Sequence, residues 1–110
     1  MIKLPLTLAD ATLPFWSYRS GGRQVIEFDS TGCACPVPMV NAMVGLERIA
    51  SSGETLVMIN GFEPAGLYDR VRDSFRWTVE SLDAQRVMVI FSAIDGAVAV
   101  DFSNRHCHGG

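Results

Sequence analysis

Pro36 and Pro38 stand one residue apart, directly ahead of a long run of helical periodicity, and Cys35 precedes them. No other feature restricts the fold as tightly. Proline lacks a backbone N–H, and its ring clashes with the preceding turn, so it is costly inside a helix. In a first turn those N–H groups have no intrahelical partner, and proline is tolerated. The pair therefore pins a helix start at Cys35, with Pro36 in the first helical position. The pattern that follows is helical to about Ser51. Met39, Met43, Leu46 and Ala50 share one face, and Asn41, Gly45, Arg48 and Ser52 share another, more polar face. Ser51-Ser52-Gly53 closes the helix with a glycine suited to a left-handed cap.

The flanks of this helix read as strands. Gln24-Val25-Ile26-Glu27-Phe28 is rich in β-formers, and Asp29-Ser30-Thr31-Gly32 turns the chain after it. Glu54 to Ile59 is a second, mostly buried strand. Gly61 to Pro64 is a loop, and Pro64 opens a short second helix with Leu67, Val71 and Phe75 at steps of four. Arg76 to Glu80 alternates as a third strand, and Arg86 to Phe91 is a fourth. Asp95-Gly96 is a hairpin signal, with Ala97 to Val100 as the returning strand. The order predicts an α/β fold: a two-layer α/β sandwich, β-α-β-α-β-β, with a mixed sheet and both helices on one face.

The domain is expected over residues 24–103, with 1–23 as an N-terminal extension or arm and 104–110 as a tail. Pro5, Pro14 and Gly21-Gly22 break up the arm, and Phe15-Trp16-Ser17-Tyr18 either packs on the domain or offers a docking patch. The 110 residues suffice for one domain, and 48% of them are apolar, which supplies a core and argues against disorder. The net charge is −3, with no basic stripe carrying interleaved aromatics, so direct nucleic-acid binding is not expected. No apolar run is long enough to cross a membrane, and Met1 to Leu8 does not read as a secretory signal. The expected location is cytoplasmic.

At a helix start, the positive end of the helix dipole faces the Cys35 sulfur. It favours a thiolate, or a persulfide anion, over the neutral form. The two prolines remove donors that would otherwise bond the sulfur, which leaves the dipole and the N–H of Val37. The alternative is that Cys35 is a small, buried, inert residue of a turn.

The stretch Asp29-Ser30-Thr31-Gly32-Cys33-Ala34-Cys35-Pro36-Val37-Pro38 resembles the Asp-x-x-Gly-x-x-Cys-Pro-x-Pro signature of the TusA/SirA-like sulfur carriers. The resemblance covers about residues 24–60 and runs into Ser52-Gly53-Glu54-Thr55-Leu56. It implies that Cys35 bears a persulfide, with Asp29, Gly32, Pro36 and Pro38 as motif support. It implies two partners, a desulfurase or rhodanese-like sulfur donor and an acceptor protein. It implies no cofactor, and a sulfurtransferase-type activity if the chain is active. The family's β-α-β-α-β-β fold matches the order read from the residues. The second half departs from the carriers: Glu63-Pro64 to Leu67-Tyr68, then Phe75-Arg76-Trp77, is similar to a sister group of SirA-like domains, many without the cysteine. That similarity implies a non-catalytic binding or regulatory module as the alternative.

Cys33 is not required by the carrier motif. With Cys35 it would close a strained disulfide, as a resolving thiol it would attack a persulfide on Cys35, and as a spectator it is a small loop residue. His106, Cys107 and His108 are candidate metal ligands which, with Cys33 and Cys35, would make a metal or redox sensor if the tail folds back. Their spacing matches no strong zinc signature. Gly109-Gly110 is similar to the tail of ubiquitin-like sulfur carriers, though nothing else in the chain matches those proteins. Phe75 and Trp77 are expected in the core, and Asp69, Arg70, Arg72 and Asp73 on the solvated face of the second helix.

Overall fold

The computed structural model describes residues 1–96 and 99–106. Six strands and two helices follow in the order β1 (Leu4–Leu6), β2 (Phe15–Ser20), β3 (Arg23–Asp29), α1 (Val37–Ser52), β4 (Thr55–Asn60), α2 (Ala65–Val71), β5 (Phe75–Asp83) and β6 (Arg86–Ala93). They form one mixed sheet in the order β1-β2-β3-β4-β6-β5. β3 and β4, joined through α1, are parallel, and every other pairing is antiparallel. From Arg23 to Ala93 this is the expected β-α-β-α-β-β order in a two-layer α/β sandwich.

One alternating set of strand residues faces the helices. Ile26 and Phe28 of β3, Leu56 and Met58 of β4, and Val89 and Phe91 of β6 are all buried there. They close on Met43, Leu46 and Ile49 of α1 and on Leu67 and Val71 of α2 in one cluster. Because both helices feed that cluster, they share a face of the sheet. Gly53 ends α1 as expected: its φ is 76°, and its N–H donates to the Ile49 carbonyl.

Three expectations need correction. The segment expected over residues 1–23 as an N-terminal extension or arm is part of the sheet, because β1 and β2 continue it beyond β3 through a hairpin at Gly21-Gly22, where both φ values are positive. Phe15 is buried against Phe28, while Trp16 stays partly exposed. Phe75 is not the last apolar residue of the second helix. It begins β5 and pairs with Ala93. As for the expected returning strand, Ala99 and Val100 lie in no strand, and Ala97 and Val98 are outside the described residues.

The polar face assigned to α1 is also corrected. Asn41 and Gly45 are buried, because the N-terminal segment crosses that side of the helix. The Asn41 Oδ1 accepts from the N–H groups of Thr12 and Leu13, at 2.9 and 3.1 Å. Its Nδ2 donates to the Thr12 hydroxyl and to the Val37 carbonyl, at 2.8 and 2.9 Å. A Cβ on Gly45 would lie 2.8 Å from a Leu56 methyl and 3.3 Å from the Phe15 ring, so glycine permits this close approach. Arg70, expected on the solvated face, is half-buried, and one Nη donates to the Asn104 carbonyl at 3.2 Å. Asp69, Arg72 and Asp73 are exposed as expected.

Candidate functional site around Cys35

Ser30 anchors the loop between β3 and α1. Fully buried, it donates its N–H to the Ile59 carbonyl at 2.8 Å and its hydroxyl to the Asn60 Oδ1 at 2.9 Å. Beside it, the Asp29 carboxylate accepts from the Thr31 N–H at 2.9 Å and faces Arg86 at 3.8 Å. Two turns then follow in succession. The first is closed by the Cys33 N–H on the Ser30 carbonyl at 3.0 Å, with Gly32 at φ 76° inside it. That left-handed conformation is why a glycine stands in the motif.

The second turn holds the cysteine. The Val37 N–H donates to the Ala34 carbonyl at 3.0 Å, enclosing Cys35 and Pro36, whose peptide bond is cis. A cis proline in the third position of a four-residue turn is the type VI arrangement. The first α-helical bond follows, from the Val40 N–H to the Pro36 carbonyl at 2.9 Å. The helix therefore starts at Val37, with Pro36 as the cap residue and Pro38 inside the first turn. Two expectations change. Pro36 sits one position outside the helix, and the Val37 N–H expected for the sulfur is committed to Ala34. Of the two local sources of thiolate stabilisation, the helix dipole remains.

Cys35 is exposed, Cys33 half-buried. Cys35 is engaged in a disulfide, whereas Cys33 is a free thiol. Both cysteines line a cavity of about 320 Å³. Its far wall comes from β4 and the loop after it, through Met58, Asn60, Phe62 and Pro64, and Leu67 of α2 and Met39 of α1 close it. Asn60 braces this wall as well as the cysteine loop: its Nδ2 donates to the Phe62 carbonyl at 3.0 Å while its Oδ1 accepts from Ser30. Asn60 and Ser30 are site residues to which the sequence reading gives no role. The one signal in the sequence is the place of the Asn60 amide at the end of an apolar strand.

The structure gathers Asp29, Gly32, Cys33, Cys35, Pro36 and Pro38 in one loop and first turn. Among the described residues no three His, Cys, Asp or Glu side chains converge as metal ligands. His106 is exposed, and Cys107, His108, Gly109 and Gly110 lie outside the described residues. Among the described residues no helix is long and apolar enough to cross a membrane.

Fold and site together define a two-layer α/β protein that presents a cysteine just ahead of its long helix, beside an apolar cavity. No protein-family model, curated protein or solved structure matches the chain.

Proposed function

We propose that this chain is a sulfur-relay protein of the TusA/SirA type, carrying a persulfide on Cys35. The observation that carries the reading is the exposed cysteine in a proline-fixed turn at the N-terminal end of α1. Exposure allows a partner's sulfur to reach it. The helix dipole favours the anion of either the thiol or the persulfide. The turn fixes the backbone at Cys35, and the Val37 N–H is spent on the Ala34 carbonyl.

Loading begins from the reduced protein, with a dithiol reductant opening the disulfide of Cys35. The Cys35 thiolate attacks the outer sulfur of a persulfide on a desulfurase or rhodanese-like donor. A new Sγ–S bond forms, the donor's S–S bond breaks, and the donor cysteine leaves as a thiolate. An acceptor protein's thiolate repeats the exchange, for transfer RNA thiolation, sulfur oxidation or cofactor assembly. No oxidation state changes overall, so the exchange itself calls for no metal or nucleotide.

The test is intact mass after incubating the reduced protein with a cysteine desulfurase and cysteine. Wild type should gain the mass of one sulfur atom, removable by a thiol, and Cys35→Ala should not. A Cys35→Ala variant that gains as much as wild type sinks the reading. A second reading, a thiol–disulfide switch, is favoured by the disulfide at Cys35 and the free thiol of Cys33 on the same cavity wall. It predicts a defined reduction midpoint and a partner affinity that changes across it, with no stable persulfide.

A further inference from the structure

The cavity beside Cys35 has a definite chemical character. At about 320 Å³ it lies at the small end of the range of small-molecule pockets, about 300 to 1,000 Å³. Among the described residues, none of those lining it is acidic or basic. The amide of Asn60 is engaged on both atoms, with Ser30 and with the Phe62 carbonyl. Met39 and Phe62 supply the accessible apolar surface, with the buried Met58 and Leu67 behind them, and the flexible Met39 side chain adapts to the shape of an occupant. An ionic group entering this space would lose water, and among the described lining residues it would meet no charge other than that of the Cys35 thiolate itself. Phe62, 53% exposed, stands at the rim.

We infer that this cavity takes the uncharged alkyl group of a small organosulfur compound, with its sulfur directed to Cys35. The substrate class is a low-molecular-weight alkyl persulfide. The Cys35 thiolate attacks the outer sulfur, the bond from Sγ forms, the inner S–S bond breaks, and the alkyl thiolate leaves and takes up a proton. Such a compound would load the protein without a donor protein. This deepens the relay reading and rests on it for the sulfur step, but the selection of alkyl over ionic tails rests on the cavity alone.

The experiment uses the full chain carrying Cys33→Ser and Cys107→Ser, reduced, so that labelling reports Cys35. Three methanethiosulfonates are compared: butyl, 2-sulfonatoethyl and 2-trimethylammonioethyl. In each, the thiolate takes the tail's sulfur and methanesulfinate leaves. Rates are read by intact mass and normalised to the same protein in denaturant. The butyl reagent should be favoured over both ionic reagents by about ten-fold, comparable to burying fewer than two methylenes. Met39→Lys should weaken that preference and favour the sulfonate over the ammonium. Phe62→Lys at the exposed rim serves if circular dichroism shows Met39→Lys unfolded. Rate ratios equal to those of the denatured chain, or unchanged by the lysine in a folded variant, overturn the inference. A protein that accepts desulfurase sulfur without a tail preference refutes the cavity inference alone. One with the tail preference that accepts no sulfur refutes the relay alone.

Discussion

Replacing Asn41 by alanine removes the side chain that fastens the N-terminal segment across α1. Asn41 is fully buried, and its four hydrogen bonds reach Thr12 twice, Leu13 and Val37. Alanine leaves two backbone N–H groups, one carbonyl and one hydroxyl without those partners. A hydrogen bond contributes about 1 kcal/mol net, and a buried group left unpartnered costs about 1–3 kcal/mol. The Thr12 end is only partly buried, so water offsets some of this loss. The expected cost is about 3 kcal/mol, which in a domain of this size lowers Tm by roughly 12 °C. Urea denaturation and calorimetry measure it. Thr12→Val removes one bond of the four and should cost about 1 kcal/mol. The double variant should then cost less than the sum, since the groups share one network. A loss below about 1 kcal/mol for Asn41→Ala, or strict additivity with Thr12→Val, would refute the claim that this amide holds the segment.

Two further outcomes follow from the packing and the titrating groups. Gly45→Ala gains about 1 kcal/mol of helix propensity but drives a methyl into the fully buried Leu56, at about 1–3 kcal/mol, so a net loss of about 1 kcal/mol is expected by denaturant titration. A stabilised Gly45→Ala variant would contradict the contact. Burial, aided by the acceptors Glu27 and Glu63, raises the Tyr18 and Tyr68 phenols above the usual tyrosine value. The folded-state value lies above the unfolded one, so the stability these groups contribute is complete below pH 10 and declines as pH rises beyond it. At pH 10 the native protein should show little phenolate absorbance, whereas the urea-unfolded chain should be about half ionised.

The long helix was legible because its signals are local: prolines at the start, a 3.6-residue pattern, and a glycine in the left-handed region at the end. The strands flanking it were legible from composition. Phe75 was misplaced because a step of four fits both periods, the helix's 3.6 and twice the strand's 2.0. Leu67 and Val71 are helical, and Phe75, next in the series, belongs to a strand. The strands β1 and β2 were illegible because each is short, and their pairings are contacts with residues elsewhere in the chain. Asn41 reads as part of a polar face because its amide is polar. Its burial depends on Thr12 and Leu13, about thirty residues away. At the site, the motif residues were readable, but the use of the Val37 N–H was not. That bond depends on the turn the backbone adopts at Cys35-Pro36.

The position of the cysteine follows from the parallel pairing of β3 and β4. Two parallel neighbours end on the same side of a sheet, so the loops leaving them meet there, where open α/β sheets commonly place their ligands. Here one loop carries Cys33 and Cys35, and the other carries Phe62 and Pro64. The buried Ser30–Asn60 bond ties the two strand ends together, and Asn60 also holds the Phe62 carbonyl. The antiparallel strands have no such role: β5 and β6 complete the core, and β1 and β2 widen the sheet. This separates two parts of the chain by physical task. The crossover from β3 into α1 positions the sulfur and one wall of the cavity, and the end of β4 with the loop into α2 supplies the opposite wall. The residues on which the proposed resemblance to the carriers rests end near Asn60, and those that depart from it follow in the loop and α2. A change of cavity lining between related proteins would therefore alter what approaches the sulfur while leaving the turn that holds it intact.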